Sequence, residues 1–162
     1  MYTHAPQNYD CPFCRFSQSI GDQHNFVKQT DIIFQNEHVT AFLATRMIPN
    51  NPGHVLIIPN DHFENIFDLP TTLVLEIQLL AKAVALAMKT AYACDGITLR
   101  QHNEPLGGQH IWHYHLHVIP RYEDDDYDRE EKQPFSPNER ASYADKLQPF
   151  VADFMLKNTQ SP

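Results

Sequence analysis

A chain of 162 residues with 42% hydrophobic content is sized for one domain around one core and needs no disulfide staples to fold. Its net charge of -8 argues against a nucleic-acid polymer as partner, because phosphate backbones are held chiefly by Lys and Arg. No unbroken apolar run approaches a bilayer span and no basic start leads into a hydrophobic stretch. Neither a membrane span nor a secretory signal is therefore indicated, and a cytoplasmic setting is expected.

The polar amino terminus reads as loop through about Gln29 and carries Cys11-Pro12-Phe13-Cys14. Three cysteines, an odd number, argue for reduced thiols or a metal site rather than a disulfide framework. Asp31 to Phe34 and Val39 to Leu43 read as two short strands joined by a turn at Asn36-Glu37. Met47 to Gly53, rich in Pro and Asn, reads as a loop feeding a strand from His54 to Ile58. Asp68 and Pro70 mark a helix start, and Leu73, Leu75, Ile77, Leu79, Leu80, Ala83, Val84, Leu86 and Ala87 supply its apolar stripe through about Ala93. Cys94 stands alone and reads as a small buried hydrophobe. A further strand is expected over Gly96 to Gln101.

Ile111 to Tyr122 is the most informative stretch, a β-branched and aromatic run with histidines at alternate positions. Side chains on a strand alternate between faces, so His113, His115 and His117 line one face while Tyr114, Leu116 and Val118 pack the other. Core packing does not explain three imidazoles on one surface. Two chemistries remain, metal ligation or acid, base and nucleophile work on a substrate. Gly107-Gly108-Gln109 just upstream frees backbone for a close approach and adds an amide donor, which suits a phosphate cradle. Beyond Pro120 the charged segment over residues 123–137 reads as a solvated loop, and Tyr143, Leu147, Phe150, Val151, Phe154 and Met155 define a carboxy-terminal helix over 138–158. The fold class is α+β, an antiparallel sheet with one long helix packed on it plus the carboxy-terminal helix, all in a single domain over 1–162 with its core at about 10–122.

His113-Tyr114-His115-Leu116-His117-Val118-Ile119, with the Gly-Gln upstream, resembles the histidine triad (HIT) superfamily of nucleotide hydrolases and transferases. Pro52-Gly53-His54-Val55-Leu56-Ile57-Ile58-Pro59 followed by His62 is similar to the family's Gly-His strand, and the Cys11 and Cys14 pair to one found in many bacterial members. The resemblance implies a HIT-like fold, a homodimer, and cleavage at the α-phosphate of purine nucleotide derivatives, either nucleoside phosphoramidates or dinucleoside polyphosphates. His115 would be the nucleophile that forms a nucleotidyl-histidine. His117 and His54 would donate to the phosphoryl oxygens, Gln109 and the Gly108 amide would orient nucleophile and leaving group, and His113 would hold the nucleophilic ring through its carbonyl.

A neutral imidazole suits this chemistry, because it is a competent nucleophile at pH 7 and leaves readily once its adduct is protonated. No cofactor is required for catalysis. The resemblance also implies a structural zinc held by Cys11, Cys14, His62 and His113, set against a metal-free thiol pair. Asn103, or His102 one residue earlier, is expected to contact phosphate or ribose. Two positions depart from the family's pattern: Arg46 stands where many members carry an Asp or Asn for the ribose hydroxyls, and His110 where a small or hydroxyl residue is usual. Arg46 is expected to touch phosphate or face solvent. Two other readings stay open, a metal-dependent hydrolase using the three histidines as ligands and a nucleotide-binding regulatory module with little turnover.

Overall fold

The computed structural model describes residues 3–18, 27–125, 127–128 and 131–159. Within them a five-stranded antiparallel sheet is ordered β1-β2-β4-β6-β5, from β1 (Ile32–Gln35), β2 (Val39–Leu43), β4 (Val55–Pro59), β5 (Gly96–Gln101) and β6 (Leu116–Arg121). Two-residue strands β3 (Arg46–Met47) and β7 (Gln133–Pro134) pair separately. The helices are α1 (Pro12–Ser17), α2 (Thr71–Ala91) and α3 (Pro137–Thr159).

Local chemistry sets these boundaries. The β1–β2 turn closes because the Asn36 side-chain oxygen accepts the backbone N–H groups of His38 and Val39 at 3.0 and 2.9 Å. Gly53 leads into β4 with φ +89, and a Cβ there would lie 2.4 Å from the Tyr92 ring, so both conformation and space demand glycine. At the start of α2 the cap position is Pro70 rather than Asp68, since proline's fixed φ suits the helix entry.

The core lies between α2 and one sheet face. Ile77, Leu80, Ala81, Ala83, Val84, Ala87 and Met88 of α2 are buried against Ala41, Leu43, Val55, Ile57, Leu116 and Val118. Burial of this kind contributes about 25 cal/mol for each Å² of apolar surface removed from water. Leu75 and Leu86, expected in that stripe, are 67% and 49% exposed instead, because they fall off the packed face. α2 also corrects the expectation of no bilayer-length apolar segment. It is 21 residues long with a window of mean hydropathy 1.6, which by length and composition alone suffices to cross a membrane. Its buried face belongs to this core.

α3 packs on α2, β1 and β2 through Ala144, Leu147, Val151 and Met155. It is tied down by a buried ion pair in which Arg140 donates to both Asp31 oxygens at 3.0 Å.

Four other expectations need correction. The amino-terminal loop contains α1, whose Phe13 and Phe16 are buried and meet Phe42 edge-on at 5.7 and 4.9 Å. The loop from Met47 begins inside β3, and the segment expected as a solvated loop over 123–137 supplies its partner β7. Asp125 of that segment is buried, where it accepts from Arg121 at 2.6 and 2.9 Å and from Asn51 at 2.7 Å. Asp126 and Glu130 lie outside the described residues. The histidine strand is also shorter than expected, because its ladder begins only at Leu116.

Candidate active site

Strand register assembles the site. β4 and β6 pair Leu56 with His117, and β5 and β6 pair Arg100 with His117, so these three side chains form a row across the sheet face opposite α2. His54 sits two residues before Leu56, and His115 two before His117. The alternation read from the sequence therefore persists through the extended residues ahead of the ladder, with Tyr114, Leu116 and Val118 in the core.

Hydrogen bonds fix the rings. The Nδ1 of His115 lies 2.7 Å from the carbonyl oxygen of His113. A carbonyl only accepts, so Nδ1 carries the proton and Nε2 keeps its lone pair. The Nε2 of His54 lies 2.9 Å from the Nδ1 of His117, a contact in which one ring donates to the other. His115 and His117 have centroids 5.0 Å apart, and Phe13 meets His115 edge-on at 5.5 Å.

Burial sets the charge state. Desolvation, followed by the nearby Lys132 and Arg100 charges, lowers His54 to about 3. It also depresses His117, where His54 and His115 add to the effect, and His115, where the bond to the His113 carbonyl opposes the trend. All three imidazoles are neutral at pH 7.

The rings open into a cavity of about 550 Å³, within the range of ligand pockets. Its walls include Phe13, Leu56, His102, Gly108, His110 and Ile111, together with Arg46, Arg100 and Lys132. No carboxylate lines it among the described residues. A chain of net charge -8 thus places three of its 12 Lys and Arg residues around one cavity, which makes the site locally positive.

Arg100 and Lys132 were not read from the sequence. Arg100 could have been, since it lies two residues before His102 on a strand with the correct bounds. Lys132 follows Glu130-Glu131 and reaches the cavity only because β7 pairs with β3, where Arg46 donates to the Lys132 carbonyl at 2.6 Å.

The glycine segment is built differently from a phosphate cradle. The N–H groups of Gly107, Gly108 and Gln109 donate to the carbonyls of Glu104, Pro105 and Glu104 at 3.1, 3.0 and 3.1 Å, closing a 3-10 turn instead of facing the cavity. Gly108 has φ +84, and an added Cβ would meet the His102 Nδ1 at 3.0 Å. That nitrogen donates to the Gly107 carbonyl at 2.6 Å and holds the His102 ring on the wall.

Gln109 is buried behind the cavity. It donates to the carbonyls of Glu64 and Ile111 at 2.6 and 3.1 Å and accepts the Glu104 N–H at 2.9 Å, so its amide braces the loop. Asn103 likewise faces away, its side-chain oxygen accepting from the Ile66 N–H at 2.9 Å. Of the alternatives Asn103 and His102, only His102 lines the cavity. Arg46 stands exposed at the rim.

His113 turns to a second site. Its Nε2 donates to the Pro59 carbonyl at 3.0 Å, which leaves Nδ1 unprotonated and aimed at the Sγ atoms of Cys11 and Cys14, 3.3 and 3.5 Å away. Cys14 Sγ lies 3.2 Å from the Nδ1 of His62. The four donor atoms fall within 4.8 Å of one another. Burial and the neighbouring Cys11 push the Cys14 thiol up to about 12. Two sulfurs and two imidazole nitrogens, one imidazole already oriented by a backbone carbonyl, are a donor set that fits tetrahedral zinc.

This geometry removes the reading in which His113, His115 and His117 jointly ligate a catalytic metal. The ring nitrogens of His113 are directed to the cysteines and to Pro59, away from the other two.

Residues 25–124 match the family model described as the HIT domain. The chain belongs to the HIT family. It is 29% identical over 115 residues to a HIT-like protein of Saccharolobus solfataricus, covering 71% of this chain and 76% of that one. It is 28% identical over 135 residues to the bis(5'-adenosyl)-triphosphatase of Dictyostelium discoideum, covering 78% and 89%. Among solved structures, a HIT-like protein of Bartonella henselae described as involved in cell-cycle regulation superposes with a TM-score of 0.72 at 26% identity, over 91% of this chain and 99% of that one. The α+β architecture of this HIT protein, antiparallel sheet and helices, matches that neighbour.

Proposed function

We propose that this HIT protein is a nucleotidyl hydrolase that cleaves at the α-phosphate of purine nucleotide derivatives through a covalent adduct on His115. The observation that carries the reading is the bond from the His115 Nδ1–H to the His113 carbonyl at 2.7 Å, which presents a neutral ring with its lone pair on Nε2 at a positive cavity. In the first step Nε2 forms a bond to the α-phosphorus as the bond to the leaving group breaks, and that group departs with the electron pair and takes up a proton. Because Nδ1 retains its own proton, the adduct is cationic, which makes the imidazole a good leaving group in turn. In the second step the oxygen of water bonds to phosphorus, the P–N bond breaks, and His115 is restored with release of a nucleoside monophosphate and a proton.

The paired His54 and His117 have a role in both steps. With the shared proton on His54 Nε2, that nitrogen donates to His117 Nδ1, and the His117 Nε2–H is free to donate to a phosphoryl oxygen. A preorganised donor of this type contributes about 3 kcal/mol to the transition state. The family likeness supports the coarse class, since a relative that matches most of this chain is named as a bis(5'-adenosyl)-triphosphatase.

We also propose that Cys11, Cys14, His62 and His113 hold a structural zinc. Its contribution would be to fix α1 and His113, and so the carbonyl that orients His115, and it takes no part in the transfer.

The test is turnover of adenosine phosphoramidate and of diadenosine triphosphate by purified protein, followed as AMP release and repeated with a chelator present. Release of AMP from either substrate, insensitive to the chelator during the assay, supports the reading. Nucleotide binding without product from either would favour a regulatory module instead.

A further inference from the structure

The leaving group of the transfer takes up a proton in the first step, and water gives one up in the second. The three buried imidazoles have none to spare. His54 and His117 are neutral rings joined by one hydrogen bond, so loss of a proton from the pair would leave an imidazolate, and His115 keeps its Nδ1 proton on the His113 carbonyl. The arginines of the cavity do not give up protons. His102, His110 and Lys132 remain on its walls.

His102 repeats the device that orients His115. Gln101 pairs with Leu116 at the end of the β5–β6 ladder, so the next residue along, His102, falls across from His115. A backbone carbonyl again holds its Nδ1–H, that of Gly107 at 2.6 Å, which leaves Nε2 for a ligand. Its ring meets that of His117 edge-on with centroids 5.8 Å apart. His102 is half-buried whereas His115 is 7% exposed, so solvent reaches the first ring more readily than the second. After burial and the His113 bond, His102 is the strongest influence on His115, whereas after burial the strongest on His54 is Lys132. The lysine therefore lies toward the His54 end of the histidine row, and His102 lies beside the nucleophile. His110 is exposed.

We propose that His102 is a further catalytic residue, a proton carrier that serves the leaving group and then the attacking water. The inference rests on the nucleotide reading above. In the first step the imidazolium of His102 gives its Nε2 proton to the leaving atom, which departs from phosphorus with the electron pair while His115 Nε2 bonds to phosphorus. Water then occupies the place that group vacated, so the same nitrogen, now bearing a lone pair, takes the proton from water as its oxygen bonds to phosphorus and the P–N bond breaks. Both rings return to their starting states, and no reactant besides substrate and water is used. An imidazole suits both directions near neutral pH, and a phosphate anion in the cavity favours the imidazolium form of a ring beside it.

Two substrates that differ only in the leaving group test this on the full-length protein. Adenosine phosphoramidate releases ammonia only once its nitrogen has taken up a proton, whereas the p-nitrophenyl ester of AMP releases a stable phenolate without one. His102→Gln keeps a donor that reaches toward the cavity and His102→Asn keeps one for the Gly107 carbonyl, yet neither side chain carries a transferable proton. Each should lower kcat/KM for the phosphoramidate by about 100-fold, and by at least about tenfold more than for the ester. The ester rate reports whether the fold and His115 are intact, so a folding defect would lower both rates together. Equal losses on the two substrates, or a phosphoramidate rate close to that of the unmodified protein, overturn the proposal. A loss confined to the phosphoramidate in Lys132→Gln or His110→Gln, and missing from both His102 variants, assigns the proton elsewhere and overturns it as well. Turnover of both substrates without a selective loss defeats the role of His102 alone, whereas turnover of neither by the unmodified protein defeats the nucleotide reading and this inference with it.

Discussion

His113 joins two sites through opposite ends of one residue: its carbonyl accepts the Nδ1–H of His115 at 2.7 Å while its ring faces Cys11 and Cys14 at 3.3 and 3.5 Å. The position of the cysteine cluster therefore bears directly on the tautomer and orientation of His115. A residue just ahead of β6 becomes the link between α1 and the cavity.

The first consequence concerns metal. Purified protein should contain about one zinc per chain by elemental analysis, since ligand sets of this composition bind zinc tightly. Cys11→Ser with Cys14→Ser should lose the metal, lower the melting temperature by several degrees and reduce turnover, because α1 and the His113 carbonyl are no longer fixed. Protein free of zinc and equally stable in the double variant would show that the cluster is only a packed thiol pair.

Acid should unfold this protein from an unusually high pH. The folded-state values of His54 and His117 lie below the ordinary 6.5, so the unfolded chain binds more protons once pH falls under that value. The contribution is fully present above pH 6.5 and is lost as pH drops toward the folded value, about 3 for His54, at about 1.4 kcal/mol per pH unit for each ring. Between pH 6.5 and 5, above the range where most carboxylates titrate, the two histidines together should remove on the order of 3 kcal/mol. Urea midpoints measured across that interval check this, and His54→Asn should flatten the slope. A midpoint constant from pH 7 to 5 would contradict the assigned burial.

Gln109 should matter for stability more than for transfer. Gln109→Ala leaves the Glu104 N–H and the Glu64 carbonyl without that partner, at a cost of about 1 to 3 kcal/mol for each group left unsatisfied, while the Ile111 carbonyl keeps the His113 N–H at 2.9 Å. Gln109→Glu, nearly the same shape, should be worse at pH 8, because it turns an oxygen toward two carbonyl oxygens. Denaturation midpoints measure both changes. Unchanged midpoints with a large loss of kcat would instead mean that the amide faces the reacting groups.

Period-two alternation made the face carrying His115 and His117 legible, because burial on one side of a sheet writes itself directly into the sequence. The roles of Gly107 and Gly108 were not legible in this way. Glycine announces backbone freedom, but the direction of its N–H is set by the 3-10 turn, which here points the amides back at Glu104 and Pro105. α1 escaped notice because six residues are too few to display a helical period, and its two phenylalanines read as scattered aromatics. Lys132 was hidden by its neighbours, since only the long-range β3–β7 pair lifts it out of an acidic stretch. Residues 11, 14, 62 and 113 are too far apart in sequence for spacing to group them, so family likeness alone raised that set.

The covalent step on His115 admits the most direct test. Protein mixed with adenosine phosphoramidate, quenched within the first turnovers under conditions that preserve P–N bonds and digested, should yield a peptide carrying one adenylyl group on His115, removed by acid and absent from His115→Ala. An adduct on another residue, or full turnover by His115→Ala, would contradict the account.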